Sequence, residues 1–100
     1  MSNKAELLLR ERLVLSQRAF VEIVIWRLPR PAPGSHHGFK YRLAYVANGR
    51  CVIRFDNEAG KGDHMHVEKS ERPYAFKNLE ALQADFWQAL ARRRRGRWIR

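Results

Sequence analysis

The pair Asn48-Gly49, set between two runs of alternating apolar and polar residues, constrains this 100-residue chain more than any other feature. Both residues tolerate the positive φ of a two-residue type I′ turn, which makes the dipeptide a strong hairpin signal. Residues 39–47 place Phe39, Tyr41, Leu43 and Tyr45 on one face, with Lys40 and Arg42 on the other. Residues 50–56 return with Cys51, Ile53 and Phe55 on the apolar face. A period of two, rich in β-branched and aromatic residues, predicts a half-buried antiparallel sheet.

The same period extends upstream. Residues 20–28 put Val21, Ile23 and Ile25 on one face and Phe20, Glu22, Val24 and Trp26 on the other. Residues 5–15 read two ways: Ser2 or Asn3 can cap a short helix, but Leu7, Leu9, Leu13 and Leu15, interrupted by Glu11, favour a strand that a short turn at 16–18 joins to the next. Three prolines and two glycines make residues 29–38 a loop. Downstream the spacing changes: Leu79, Leu82, Phe86 and Leu90 share a helical stripe. Asn78 is placed to cap that helix and Glu80 to meet its dipole, with Arg92–Arg95 at the negative end. The expected fold is α+β: a twisted antiparallel sheet of four to five strands with one C-terminal helix packed on a face. One domain is expected over residues 1–91, followed by an arginine-rich C-terminal tail at 92–100.

Composition narrows the function. A domain this small favours an open groove over a deep cavity. Cys51 is the single cysteine, so there is neither an intramolecular disulfide nor a cysteine-based zinc site. No run resembles a signal peptide or a bilayer span, and the chain reads as soluble and cytoplasmic, without a membrane partner. The net charge of +10 is concentrated at the end, where residues 92–100 hold six of the twenty basic side chains and no acid. Such a run is either a solvated terminus or a phosphate-contacting arm through Arg92, Arg93, Arg94 and Arg95.

The segment with chemical potential is GKGDHMH, residues 60–66. Gly60 and Gly62 bracket Lys61 in a turn whose backbone can approach a ligand. On a strand from residue 63, His64 and His66 share a face while Asp63 and Met65 point the other way. Three readings stay open. Two imidazoles can flank a phosphate as general acid and base, with Lys61 as the cation, for metal-independent RNA cleavage by a neighbouring 2′-hydroxyl. The same two can ligate a metal, completed by Asp63, Asp56 or a loop histidine. Or the segment is a glycine turn with two exposed histidines. Lys40, Arg42 and Arg54, with Arg27 at its strand end, form either a phosphate platform or an ordinary solvated sheet face. His36-His37 reads as a solvated loop, Trp26 and Trp87 as packing residues, and Trp98 as a residue able to stack on a base.

Several segments together resemble a known family. VIWRLP (24–29), FKYRL (39–43) and DNEAGKGDH (56–64) are similar to the TumE-like toxins of bacterial toxin–antitoxin pairs, over residues 4 to 91. The resemblance implies a growth-inhibitory protein neutralised by an antitoxin, commonly a helix-turn-helix protein encoded alongside, and RNA as the target. It carries over Asp56, Asn57, Lys61, Gly62, Asp63, His64 and His66. Met65 stands where the family pattern has a basic residue, which implies weaker phosphate binding. Ser16-Gln17-Arg18 replaces an Asp-Gly type of turn.

The resulting expectation is a toxin that cleaves RNA without metal or cofactor, using Lys61 as phosphate cation and His64 and His66 as an acid–base pair of undecided order. The expected partners are RNA and the cognate antitoxin, with a homodimer left open. The alternative is a non-enzymatic nucleic-acid-binding module that uses the basic sheet face and tail. A purely protein-binding subunit, its basic surface meeting an acidic antitoxin, is a third.

Overall fold

The alternating runs become strands in the computed structural model, which describes residues 3–98 and side chains to residue 95. In chain order they are β1 (Glu6–Ser16), β2 (Ala19–Arg27), β3 (Phe39–Ala47), β4 (Arg50–Glu58), β5 (Gly62–Val67) and β6 (Ser70–Pro73), followed by helix α1 (Leu79–Trp98). Each strand pairs antiparallel with the next, giving one sheet in the order β1-β2-β3-β4-β5-β6. The fold is α+β as expected, but the sheet has six strands rather than four to five. The strand beyond expectation is β6, four exposed residues without apolar alternation. It forms because Glu68, with φ of 57°, opens a tight turn back along β5. Pro73 is tolerated there because an edge strand leaves N–H groups unused.

The hairpin at Asn48-Gly49 has φ values of 53° and 75°, as a type I′ turn requires. Asn48 N–H also donates to Arg18 O at 2.8 Å, tying this turn to the β1–β2 turn. One sheet face is the core: Val21, Ile23, Ile25, Tyr41, Leu43, Ile53 and Phe55 are almost fully buried. Helix α1 covers it with Leu82, Phe86 and Leu90, and Phe86 meets Phe55 edge-on at 5.8 Å. Asn78 caps the helix, its Oδ1 accepting from Ala81 N–H at 2.7 Å. The helix continues through Arg92–Arg95, while the Trp98 side chain and residues 99–100 lie outside the described residues. No described helix is long and apolar enough to cross a membrane. The opposite sheet face carries no helix, and it holds the two motif histidines.

Candidate functional site

Strand register turns the uncovered face into a grid. One row runs Arg12, Glu22, Ala44, Arg54, His66, Glu71 from β1 to β6. The next runs Arg10, Val24, Arg42, Asp56, His64, Pro73, and a third pairs Trp26 with Lys40. Neighbours in a row are one strand spacing apart, about 4.8 Å. Lys40, Arg42 and Arg54 therefore share a face with both histidines. Arg27 does not: it is in phase with Ile25 and Ile23, falls on the helix side, and pairs with Glu6 at 3.2 Å. The phase of its own strand excludes it from the platform.

The two histidines have opposite surroundings. Arg54 Nη2 lies 2.9 Å from His66 Nε2. A guanidinium can only donate, so Nε2 must accept, and the neutral ring carries its proton on Nδ1. His64 Nε2 lies 2.8 Å from the Lys61 carbonyl, which can only accept, so this nitrogen carries a proton. Its Nδ1 is buried without a hydrogen bond and faces Glu71 Oε2 at 3.4 Å. Glu71 Oε2 is also 3.5 Å from His66 Nε2, so one carboxylate bridges the pair. Arg54 Nε is 3.1 Å from Asp56 Oδ2, in ion-pair range without hydrogen-bond alignment. Of the four imidazole nitrogens, His66 Nδ1 alone is neither bonded nor buried. Among the described residues no group of three or more His, Cys, Asp or Glu side chains is arranged to hold a metal ion.

Behind this face, the loop between β2 and β3 folds over the glycine turn. Gly60 and Gly62, with φ of 83° and 78°, let the chain reverse around Lys61, and Gly60 N–H donates to Pro33 O at 2.7 Å. Phe39 N–H donates to His37 Nδ1 at 3.1 Å, leaving Nε2–H to donate to Asp63 Oδ2 at 2.8 Å. Tyr41 O–H donates to the same oxygen at 2.6 Å. The side chains of His37 and Asp63 are each only 7% exposed, and the His37 ring lies 3.9 Å from that of Phe76. Only His36 is solvated as the loop reading has it; His37 is an internal brace. Burial first, then the Asp63 hydrogen bond, holds the Tyr41 phenol above its ordinary range. Asn57, 2% exposed, accepts from Tyr41 N–H at 3.0 Å and donates to Phe39 O at 2.7 Å, locking β4 to β3.

The profile of the family described as Toxin TumE matches residues 4–94. The chain belongs to the TumE toxin family. No curated protein and no solved structure matches it.

Within this TumE chain the motif residues divide by face. Lys61, His64, His66 and Asp56 gather at the open face or its rim, and the Lys61 ammonium has no bonding partner among the described residues. Asn57 and Asp63 serve the brace. Met65 pairs with Phe55 and packs against the core, so a basic residue at this position would not lie beside the histidines. Its expected effect on phosphate binding at that face therefore loses its geometric basis. Arg92–Arg95 lie on α1, across the sheet from the histidines, with Arg93 bonded to Glu68 and Arg94 beside Tyr45 and Asn48. Sequence reasoning did not pick out Glu71, Arg10 or Arg12. The alternation of β1 holds the signal for the two arginines, because Arg10 and Arg12 are in phase with each other; Glu71 has none.

Proposed function

We propose that this toxin cleaves RNA at the open face, with His66 as general base, His64 as general acid, and Lys61 and Arg54 holding the phosphate. The observation carrying this reading is the opposite polarity around the two rings: a donor at His66 Nε2, acceptors around His64. Acceptors on both sides of His64 suit an imidazolium, the form that gives a proton. Arg54 is the switch. When a substrate phosphate draws its guanidinium away, the His66 ring gives its Nδ1 proton to solvent and takes one up on Nε2, which then donates to Glu71, and the Nδ1 lone pair is left free toward solvent.

The base then takes the 2′-hydroxyl proton, the O2′–P bond forms, the P–O5′ bond breaks, and His64 protonates the leaving oxygen once its ring leaves the Lys61 carbonyl. The products are a 2′,3′-cyclic phosphate and a 5′-hydroxyl. Acid–base catalysis of this kind contributes about 10²- to 10⁴-fold. Expression of His66→Ala and His64→Ala variants, with growth and cellular RNA integrity measured, is the test: cleavage falls by about that factor in each. Two variants that stay fully toxic refute the assignment. Membership of the toxin family supports an antitoxin partner, and co-expression with the neighbouring gene product should restore growth.

A second reading has its own observation. Since His64 Nε2 is bonded to the Lys61 carbonyl and its Nδ1 is buried, the face can act as a non-enzymatic RNA-binding grid in which Arg10, Arg12, Lys40 and Arg42 supply the affinity. RNA incubated with purified protein would then be recovered uncut, and binding would fall steeply with salt.

A further inference from the structure

Trp26 is out of place for a packing residue. The buried aromatic residues of the core lie on the helix side, whereas Trp26 sits partly buried on the uncovered face with no aromatic ring against it among the described residues. It borders an open cleft of about 440 Å³, the low end of small-molecule sites, together with Val24, Lys40, Arg42, Asp56 and Glu58. The Arg10 guanidinium stands 6.0 Å from the ring centroid. Among the described residues Arg42 is held only by an exposed contact to Glu22 at 3.6 Å, a weak restraint. Asp56 forms the cleft wall on one side and is the cross-strand neighbour of His64 on the other. Trp26 on β2 is thus three strand spacings, roughly 14 Å, from β5 and its histidines.

We infer that this cleft is a nucleobase subsite, in which Trp26 stacks one base of a single-stranded RNA whose phosphates run over Arg10, Lys40 and Arg42 toward the histidines. The inference rests on the reading of the face as an RNA site and adds what holds the strand in place. An aromatic face beside a track of cations is the arrangement that binds single strands, since every base offers a π-face while the backbone follows the charge. Lys40, whose ammonium donates to the Asn57 carbonyl, is a fixed member of that track.

The test uses a five-nucleotide RNA with 2′-O-methyl groups throughout, which cannot undergo attack by a 2′-hydroxyl, and a set of the same strands abasic at one position each. Affinities are measured by anisotropy for the wild type, Trp26→Ala and Trp26→Phe, with circular dichroism as the check on folding. Trp26→Ala should weaken the intact strand about 5- to 150-fold, the range of one base–aromatic stack, and Trp26→Phe should keep most of the affinity. One abasic strand should lose as much with the wild type and nothing more with Trp26→Ala. Unchanged affinity in Trp26→Ala, or equal further losses on every abasic strand, overturns the subsite. Failure of the wild type to bind the strand at low salt overturns the RNA reading and the subsite with it. If natural RNA stays uncut while the Trp26 pattern holds, the subsite stands and only the catalytic assignment fails.

Discussion

Removal of the Asp63 carboxylate should cost stability rather than chemistry, although Asp63 adjoins the histidines in sequence. Its Oδ2 is the acceptor for two donors, His37 Nε2–H at 2.8 Å and Tyr41 O–H at 2.6 Å, in a site nearly closed to water. Phe39 N–H occupies His37 Nδ1, so that ring cannot present an acceptor by changing tautomer without losing a second bond. In Asp63→Ala both donors lose their partner. An unsatisfied buried donor costs about 1–3 kcal/mol, so the pair costs about 2–6 kcal/mol. Removal of a poorly solvated carboxylate offsets part of this, which places the expected loss at about 2–4 kcal/mol.

For a domain of this size each kcal/mol lowers Tm by about 4–8 °C, so the melt should fall by at least about 8 °C. Asp63→Asn keeps an oxygen for the donors and loses only the charge assistance, about 1–2 kcal/mol. Urea melts of the three proteins give the energies, and RNA cleavage below the melting transition gives the function. The reasoning is refuted if Asp63→Ala unfolds within about 0.5 kcal/mol of the wild type, the margin of an ordinary surface substitution. It is refuted equally if Asp63→Asn is as stable as the wild type but inert toward RNA, for Asp63 would then belong to the chemistry.

Alkaline pH should expose the Tyr41 phenol. Its folded-state pKa is raised by burial and by Asp63 above the ordinary 10.0, so its contribution is complete below that pH and is lost as pH climbs past it. Stability should fall with an added slope of about 1.4 kcal/mol per pH unit, and Tyr41→Phe should flatten that slope in urea melts from about pH 8 to 11. Phe86→Ala removes the ring that joins α1 to Phe55 and should cost about 3–5 kcal/mol, read as a lower midpoint in urea. Replacing Arg10 and Arg12 by Gln should weaken RNA binding and flatten its log–log salt dependence by about 0.7 for each phosphate that the pair neutralises. An unchanged slope would remove β1 from the binding face.

The sheet was readable because its strands alternate, and the positions of Lys40, Arg42 and Arg54 followed from that alternation alone. Arg27 was readable too, since it keeps phase with Ile23 and Ile25, but its place at the strand end obscured it. The β6 strand was not readable. SERP has no apolar face, and only the Glu68 turn and the edge of β5 make it a strand, so Glu71 could not be placed beside the histidines. The His37–Asp63 brace was hidden for a different reason. It joins His37 of the β2–β3 loop to Asp63 on β5, 26 positions apart, and no local period records a contact between a loop and a strand.

The motif DNEAGKGDHMH is therefore two interleaved sets of residues with different constraints. Asn57, Asp63 and Met65 face inward, where they bond the β3 backbone, hold the His37 loop and pack on Phe55. Asp56, His64 and His66 face outward, where Arg54 and Glu71 set their donors and acceptors. This division decides what Met65 means for the toxin. A basic residue at that position would sit opposite Phe55 and Arg72 on the helix side. Its absence relieves crowding of like charge beside Arg72 and leaves the cations of the open face unchanged. Loss of toxicity in this chain, if measured, would then have to be traced to the outward set.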